Sequence, residues 1–243
     1  MVSVTPYELG AFGANHGTPI QRRIGRTERL PYDSFMSSPA QDTVNDENAR
    51  YKRVIRTAEE LFKRVGFRAV TMELVAREAN VAKATLYSHF KNKDELYMAV
   101  CARMARILRG SVEAALMKAD ATLDERLADA VIAKHRPVFT LVRGSPHAEE
   151  LYSYTHSMAS EIFANLDVEM LEMLKKTMAG DPDLAPNAGQ LARALYYGSA
   201  ALAKQSESTA QMELELGAFA RAHLAGAHAL ACAHTPVGET RKA

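Results

Sequence analysis

Residues 71–90 carry side chains whose types and spacing suit contact with DNA. The run predicts two short helices joined by a tight turn at Asn80. Such a turn needs a left-handed residue, and asparagine tolerates that conformation best after glycine. The outward positions of the second helix combine a cation and hydrogen-bonding groups with one small residue: Lys83, Ala84, Thr85, Tyr87, Ser88 and His89. This composition is typical of a helix that enters the major groove.

Positive charge is concentrated around this helix pair. The 243-residue sequence has a net charge of only +1. Residues 48–110 nevertheless hold 14 Lys and Arg against 6 Asp and Glu, a net of +8, whereas residues 1–47 have a net of −2 and residues 111–243 a net of −5. A basic segment of this size indicates a nucleic-acid partner.

The apolar spacing shows which elements must position the pair. Residues 48–65 place apolar side chains three and four positions apart, which predicts a helix, and Gly66 follows where a left-handed cap belongs. Thr71 is expected to cap a helix over 72–79, and Asn92 one that runs to about residue 117. Six side chains are expected to hold the pair against the first helix: Leu74, Val75, Ala79, Val81, Leu86 and Phe90.

The rest of the chain continues the helical pattern. Five further helices are predicted, at about 122–142, 146–157, 158–179, 188–205 and 209–231. Pro137 is expected to kink or break the first of them. No stretch alternates with period two for long enough to form a strand, so the predicted fold is all-α.

The landmarks of residues 48–108 resemble the DNA-binding domain of the TetR family. They are Ala58-Glu59-Glu60-Leu61-Phe62, Gly66-Phe67, Thr71, Val75-Ala76, Ala79-Asn80-Val81, Thr85-Leu86-Tyr87, Phe90 and Lys93-Asp94-Glu95-Leu96. Two positions depart from the family pattern: Asn80 replaces the usual Gly, and Ala82 replaces a common Ser, whose loss as a cap costs about 1 kcal/mol. The resemblance implies a three-helix helix-turn-helix domain followed by a helical domain for ligand binding and dimerisation.

The resemblance also implies a role for each DNA-facing position. Thr71 and Lys93 are expected to contact phosphates. Lys83 is expected to contact a phosphate or a base edge. Two are expected to hold the DNA backbone: Tyr87 and His89. Ala84 and Thr85 would lie against bases, where a methyl group can contact thymine, and Ser88 is the candidate for sequence-dependent hydrogen bonding.

In the second domain the resemblance implies a cavity for a small apolar ligand. Methionines and aromatic residues suit an adaptable pocket, although a stripe of this kind is more often plain core. The candidate pocket residues are Met104, His135, Phe139, Tyr152, His156, Met170 and Met173.

The last two predicted helices, 188–205 and 209–231, are rich in alanine and glycine beside leucines. The resemblance implies that they pair with a second copy in a homodimer. A dimer would place its two recognition helices about 34–36 Å apart, which matches a pseudo-palindromic operator on double-stranded DNA.

The sequence predicts four segments: a disordered extension at 1–47, the DNA-binding domain at 48–108, the regulatory domain at 109–232 and a disordered tail at 233–243. An alternative for the extension is that translation starts at Met36.

Cys101 and Cys232 form no disulfide framework, and no signal peptide or membrane span is recognisable, so a cytoplasmic protein is expected. The histidines near Cys232 lack the spacing of a zinc site, and no motif for a cofactor or for catalysis is present.

These features favour a ligand-released repressor. An activator, or a regulator switched by a protein partner, is the first alternative. The second is a helical enzyme or binding protein with a vestigial DNA domain, and the basic segment argues against it.

Overall fold

The computed structural model describes residues 43–234, and every long regular element in that range is an α-helix. The elements are α1 (Thr43–Val65), α2 (Met72–Glu78), α3 (Lys83–His89), α4 (Lys93–Leu116), α5 (Leu123–Gly144), α6 (Ala148–Met158), α7 (Ser160–Met178), a short 3-10 turn (Ala185–Asn187), α8 (Ala188–Gln205) and α9 (Thr209–His234). The all-α prediction is confirmed. Most of the predicted extension and the tail lie outside the described residues.

Helix starts follow the capping residues. The Thr71 side chain accepts a hydrogen bond from the amide of Leu74 at 3.1 Å, and the Asn92 side chain accepts one from the amide of Glu95 at 2.8 Å. The first helix differs from the prediction, because α1 begins at Thr43 rather than at residue 48. Apolar periodicity detects only the part of a helix that meets a core, and residues 47–50 are exposed.

Pro137 lies inside a continuous helix, so it does not break α5, and the alternative of a kink stays a prediction. A proline removes one intrahelical hydrogen bond, and burial on both sides can compensate for that loss. His135 precedes the proline and Phe139 follows it, and both are buried. Helix α5 packs mainly against α4 and α9, and this packing helps to hold the helix together despite the proline.

The buried core of α1 to α3 is continuous with the core of the helices that follow them. Helices α1 to α3 enclose Leu61, Val75 and Leu86, which are at most 1% exposed. The aromatic rings of Phe62, Phe67 and Tyr97 lie 5.0–5.4 Å apart and join this core to α4. Helices α1 to α3 are therefore in direct contact with the helices behind them.

Candidate nucleic-acid interface and regulatory cavity

The turn between α2 and α3 has the predicted left-handed residue. Asn80 has φ 51°, a conformation that asparagine adopts more readily than most residues. The Val81 amide donates to the Ala76 carbonyl at 3.0 Å, and Arg53 Nε of α1 donates to the Ala79 carbonyl at 2.9 Å. These contacts fix the angle at which α3 leaves α2.

Helix α3 has one buried and one exposed face. Leu86 is fully buried, while Tyr87 is 39% exposed and Lys83, Ala84 and Ser88 are exposed beside it. The six inward residues predicted for the pair are buried, or partly buried in the case of Leu74 and Val81. The helix thus presents a polar surface on a rigid apolar support.

The remaining two residues predicted for the outward face of α3 are half-buried. His89 packs edge-on against Tyr51 of α1, with ring centroids 5.7 Å apart. Thr85 accepts a hydrogen bond from Ser88 Oγ through its carbonyl at 2.8 Å, which orients the Ser88 hydroxyl. The DNA contacts expected of these residues stay predictions.

Lys83 keeps its positive charge at the exposed face. Its Nζ lies 2.5 Å from Glu73 Oε1 on α2 and 5.7 Å from the Tyr87 ring centroid. The hydrogen bond with Glu73 raises the pKa of Lys83 and lowers the pKa of Glu73. A DNA phosphate would compete with Glu73 for this ammonium group or share it.

Lys93 has a different role in the structure from the predicted phosphate contact. Its Nζ donates to the carbonyls of Phe67 and Val70 at 2.8 and 2.9 Å, and to that of Arg68 at 3.2 Å. It also lies 4.4 Å from the centroid of the Phe67 ring. All three ammonium donors are therefore used on the loop between α1 and α2. The phosphate contact expected of Lys93 stays a prediction.

We expect Lys93→Met to lower the free energy of unfolding by about 1.5–3 kcal/mol, the cost of losing hydrogen bonds to a charged group. Urea unfolding checks this value, with Lys91→Met as the control because Lys91 is an exposed neighbour. A variant as stable as wild type would contradict this structural role, and a salt dependence of DNA binding with one ion fewer would support the predicted phosphate contact.

A cavity of about 90 Å³ lies where α1, α4, α5, α6 and α7 meet. Four of the predicted pocket residues line it: Met104, His135, Tyr152 and Met170. Phe62 of α1 also lines it. The cavity is thus shared between the helices behind the recognition helix and those of the second domain.

Three predicted pocket residues lie elsewhere. Phe139 is buried against the guanidinium of Arg143, 4.8 Å from its ring. His156 is exposed and stacks on Tyr152, and Met173 faces outer grooves beside Lys176. Helical spacing identifies an apolar face, but it cannot tell which of several neighbouring helices that face meets.

The sequence reasoning missed the charged residues that line the cavity, which are Glu59, Lys63, Lys134 and Asp167. Of these, Lys134 of α5 and Asp167 of α7 are buried. Lys134 is 8% exposed, and its Nζ lies 3.2 Å from the centroid of the Tyr196 ring. Asp167 Oδ1 accepts a hydrogen bond from the Tyr196 hydroxyl. The position of Lys134, three residues after Val131 on the buried face of α5, was the signal available.

Burial shifts the acid–base behaviour of these groups. It lowers the pKa of Lys134 to about 7 and raises the pKa of Asp167 to about 6. Burial, and then the neighbouring Lys134 charge, holds the pKa of His135 well below its ordinary value. His135 Nε2 lies 3.0 Å from Ser199 Oγ, within hydrogen-bonding distance. The cavity therefore disfavours charge on its own side chains.

We expect stability to rise with pH between 7 and about 8.5 because of Lys134. The unfolded chain has the ordinary lysine pKa of 10.5 and holds a proton that the folded chain increasingly lacks, so the free energy of unfolding rises. A difference of one full proton between the unfolded and folded states corresponds to about 1.4 kcal/mol per pH unit. This value is the upper limit for the change of the unfolding free energy with pH. Urea unfolding at fixed protein concentration should show this slope relative to Lys134→Met; parallel curves would contradict it.

Three potential metal ligands approach one another on the far side of the second domain. One ligand atom each from Asp181, Asp183 and His228 lies within 4.8 Å of the others. Asp181 already accepts from the amides of Asp183 and Leu184, and its Oδ2 lies 3.4 Å from His228 Nε2. The acidic groups are explained by the loop that they cap.

Comparisons with known proteins agree with the geometry. The family model for bacterial regulatory proteins of the tetR family matches residues 54–100. The uncharacterised HTH-type transcriptional regulator YhgD of Bacillus subtilis is 29% identical over 114 residues, which cover 47% of this chain and 51% of YhgD. The chain thus spans about half the length of that relative.

Solved structures share the fold over both domains. The TetR-family regulator SCO4454 of Streptomyces coelicolor is 20% identical, with a TM-score of 0.54 over 74% of this chain and 97% of that one. The regulator FadR of Bacillus subtilis, solved in complex with stearoyl-CoA, is 20% identical, with a TM-score of 0.51 over 71% and 98%. Residues 54–100 thus match the DNA-binding domain of bacterial regulatory proteins of the tetR family, and the described helices have the fold of solved regulators of that family.

Proposed function

We propose that the protein is a sequence-specific repressor that binds a pseudo-palindromic operator as a homodimer and is released by a ligand in the cavity. The exposed polar face of α3, held in place by the left-handed turn at Asn80, is the observation that carries the DNA-binding part. Among the described helices none is long and apolar enough to cross a membrane. The proposal includes that the protein acts in the cytoplasm and is not an enzyme.

The dimer is supported by an exposed face of small residues on α8 and α9. Part of the predicted face is used within the chain: a Cβ on Gly198 would come within 2.5 Å of the Phe219 ring, so α8 and α9 approach closely there. Other small residues remain exposed: Ala194, Ala201, Ala218, Ala222, Ala225 and Gly226. Leu214 and Leu230 are 70% and 64% exposed on α9. A second copy would bury this surface.

Contacts between α6 and the DNA-binding helices supply a route for release. Glu150 Oε1 accepts from the amide of Arg68 at 2.7 Å, in the loop before α2. On the same helix, the Leu151 carbonyl accepts from the Tyr97 hydroxyl at 2.9 Å, and Leu151 and Tyr97 both line the cavity. A ligand that displaces α6 would move the α2–α3 pair, and it releases DNA only through unequal affinity for the two arrangements.

The cavity volume gives weight to a second candidate, a regulator switched by a protein partner. About 90 Å³ is smaller than the 300–1,000 Å³ of typical ligand pockets, so a ligand must displace side chains to enter. Met104 and Met170 can change rotamer for this purpose. FadR, which shares the fold, was solved in complex with stearoyl-CoA. This supports the proposal that a ligand releases the protein from DNA.

The test is DNA binding to the regions flanking the gene, measured by fluorescence anisotropy at several salt concentrations. Competitor-resistant binding of two chains per site would support the proposal. Absence of selective binding in a genome-wide pull-down would refute it. A dimer that binds operator DNA but responds only to another protein would favour the partner-switched alternative.

A further inference from the structure

The most unusual group in the second domain is the ammonium of Lys134. Among the residues that the structure describes, its Nζ is buried and has no hydrogen-bond partner. Its contact with the face of Tyr196 stabilises a cation but satisfies no N–H donor. Buried polar groups without a partner are uncommon and costly, so an unpaired donor at a cavity calls for a bound water, ion or ligand as its acceptor.

The neighbouring acid does not fill this role. Asp167 influences Lys134 electrostatically, yet its carboxylate accepts a hydrogen bond from Tyr196 rather than from Lys134. Lys134 lines the cavity, so its free donors border the same space that a ligand would occupy. The other cavity surfaces are mostly hydrocarbon, for example Val100, Leu108 and Val138.

We propose that the cavity binds an apolar monocarboxylate whose carboxylate accepts hydrogen bonds from Lys134 Nζ while its hydrocarbon body contacts α4 and α5. A carboxylate supplies both the acceptor that the ammonium lacks and one compensating charge. A phosphate carries more charge than one ammonium can balance in apolar surroundings. This assignment rests on the proposed function for its regulatory meaning, but not for binding itself.

The experiment is isothermal titration calorimetry of the full chain with three probes of equal length: octanoate, 1-octanol and octylammonium. Wild type is compared with Lys134→Met, which keeps the volume and removes the amine, and with Lys175→Met as an exposed-lysine control. We expect octanoate to bind wild type at least about 30-fold more tightly than 1-octanol. In Lys134→Met that preference should fall below about threefold, with a melting temperature no lower than that of wild type.

Each other outcome overturns the assignment. Equal binding of octanoate and 1-octanol to wild type would show that the ammonium does not select the ligand. Tighter binding of octylammonium would show that Asp167, not Lys134, binds the polar group of the ligand. If no probe bound, the cavity would not be a site for such ligands, and water would be the partner of Lys134 Nζ. A carboxylate preference that survives in Lys134→Met would place the anion elsewhere.

Operator release with the same probes separates this inference from the proposed function. A protein that binds octanoate through Lys134 but binds no operator refutes the repressor and leaves the ligand assignment intact. A protein that binds operator but does not distinguish the probes refutes the ligand assignment alone.

Discussion

Replacing Lys83 and Tyr87 together by alanine is expected to weaken specific DNA binding by about 30- to 1,000-fold. Two lost contacts at a DNA interface, each costing about 1–2 kcal/mol, give this range at about 1.4 kcal/mol per tenfold change. Both side chains are exposed and outside the core, so the free energy of unfolding should change by less than about 0.5 kcal/mol. Anisotropy titration with operator DNA measures the loss, and urea unfolding verifies the fold.

A matched control exists on the opposite domain. Lys175 on α7 is exposed and bound to Glu172 at 3.2 Å, as Lys83 is bound to Glu73. Lys175→Ala removes a comparable charge and ion pair and should leave DNA binding unchanged within about twofold. Equal affinity of the double variant and this control would show that α3 does not read DNA.

Replacing Leu86 by alanine is expected to lower the free energy of unfolding by about 3–5 kcal/mol. Leu86 is fully buried beneath α3, and removing its side chain leaves a cavity in a small three-helix core. Loss of the native α3 position should also abolish operator binding at ambient temperature. Urea unfolding followed by circular dichroism, at fixed protein concentration, gives the value.

Ala84→Ser on the exposed face of the same helix is the control for Leu86→Ala. It alters a side chain in solvent and should change stability by less than about 0.5 kcal/mol. If Leu86→Ala proved as stable as Ala84→Ser, the recognition helix would not depend on the core for its position.

Local signals in the sequence were sufficient for the DNA-binding helices. Thr71 and Asn92 cap the helices that their types predict, and Asn80 adopts the left-handed conformation that the turn requires. These features depend on a few neighbouring residues and on short-range hydrogen bonds, so a single sequence can show them. The all-α fold was predicted from the spacing of apolar residues three and four positions apart.

The regulatory cavity depended on packing between helices distant in sequence. Of the residues selected from the sequence as a ligand pocket, Met104, His135, Tyr152 and Met170 line the cavity. Phe139, also selected, faces Arg143. A helix surrounded by neighbours is apolar on several sides, so spacing alone does not say which side borders free space.

Lys93 and Lys134 show most clearly what the tertiary structure decided. In sequence both are ordinary lysines, one at a helix start and one inside a helix. Folding brings Lys93 against three carbonyls more than twenty residues away and surrounds Lys134 with apolar side chains beside Tyr196. The sequence by itself determined the helices, the turn and the exposed recognition surface, because these arise from local hydrogen bonding and amphipathic spacing. Only the tertiary structure decided which lysines are exposed on α3, bound to a loop or buried at a cavity, because a long flexible side chain takes its partner from whatever the fold places within reach.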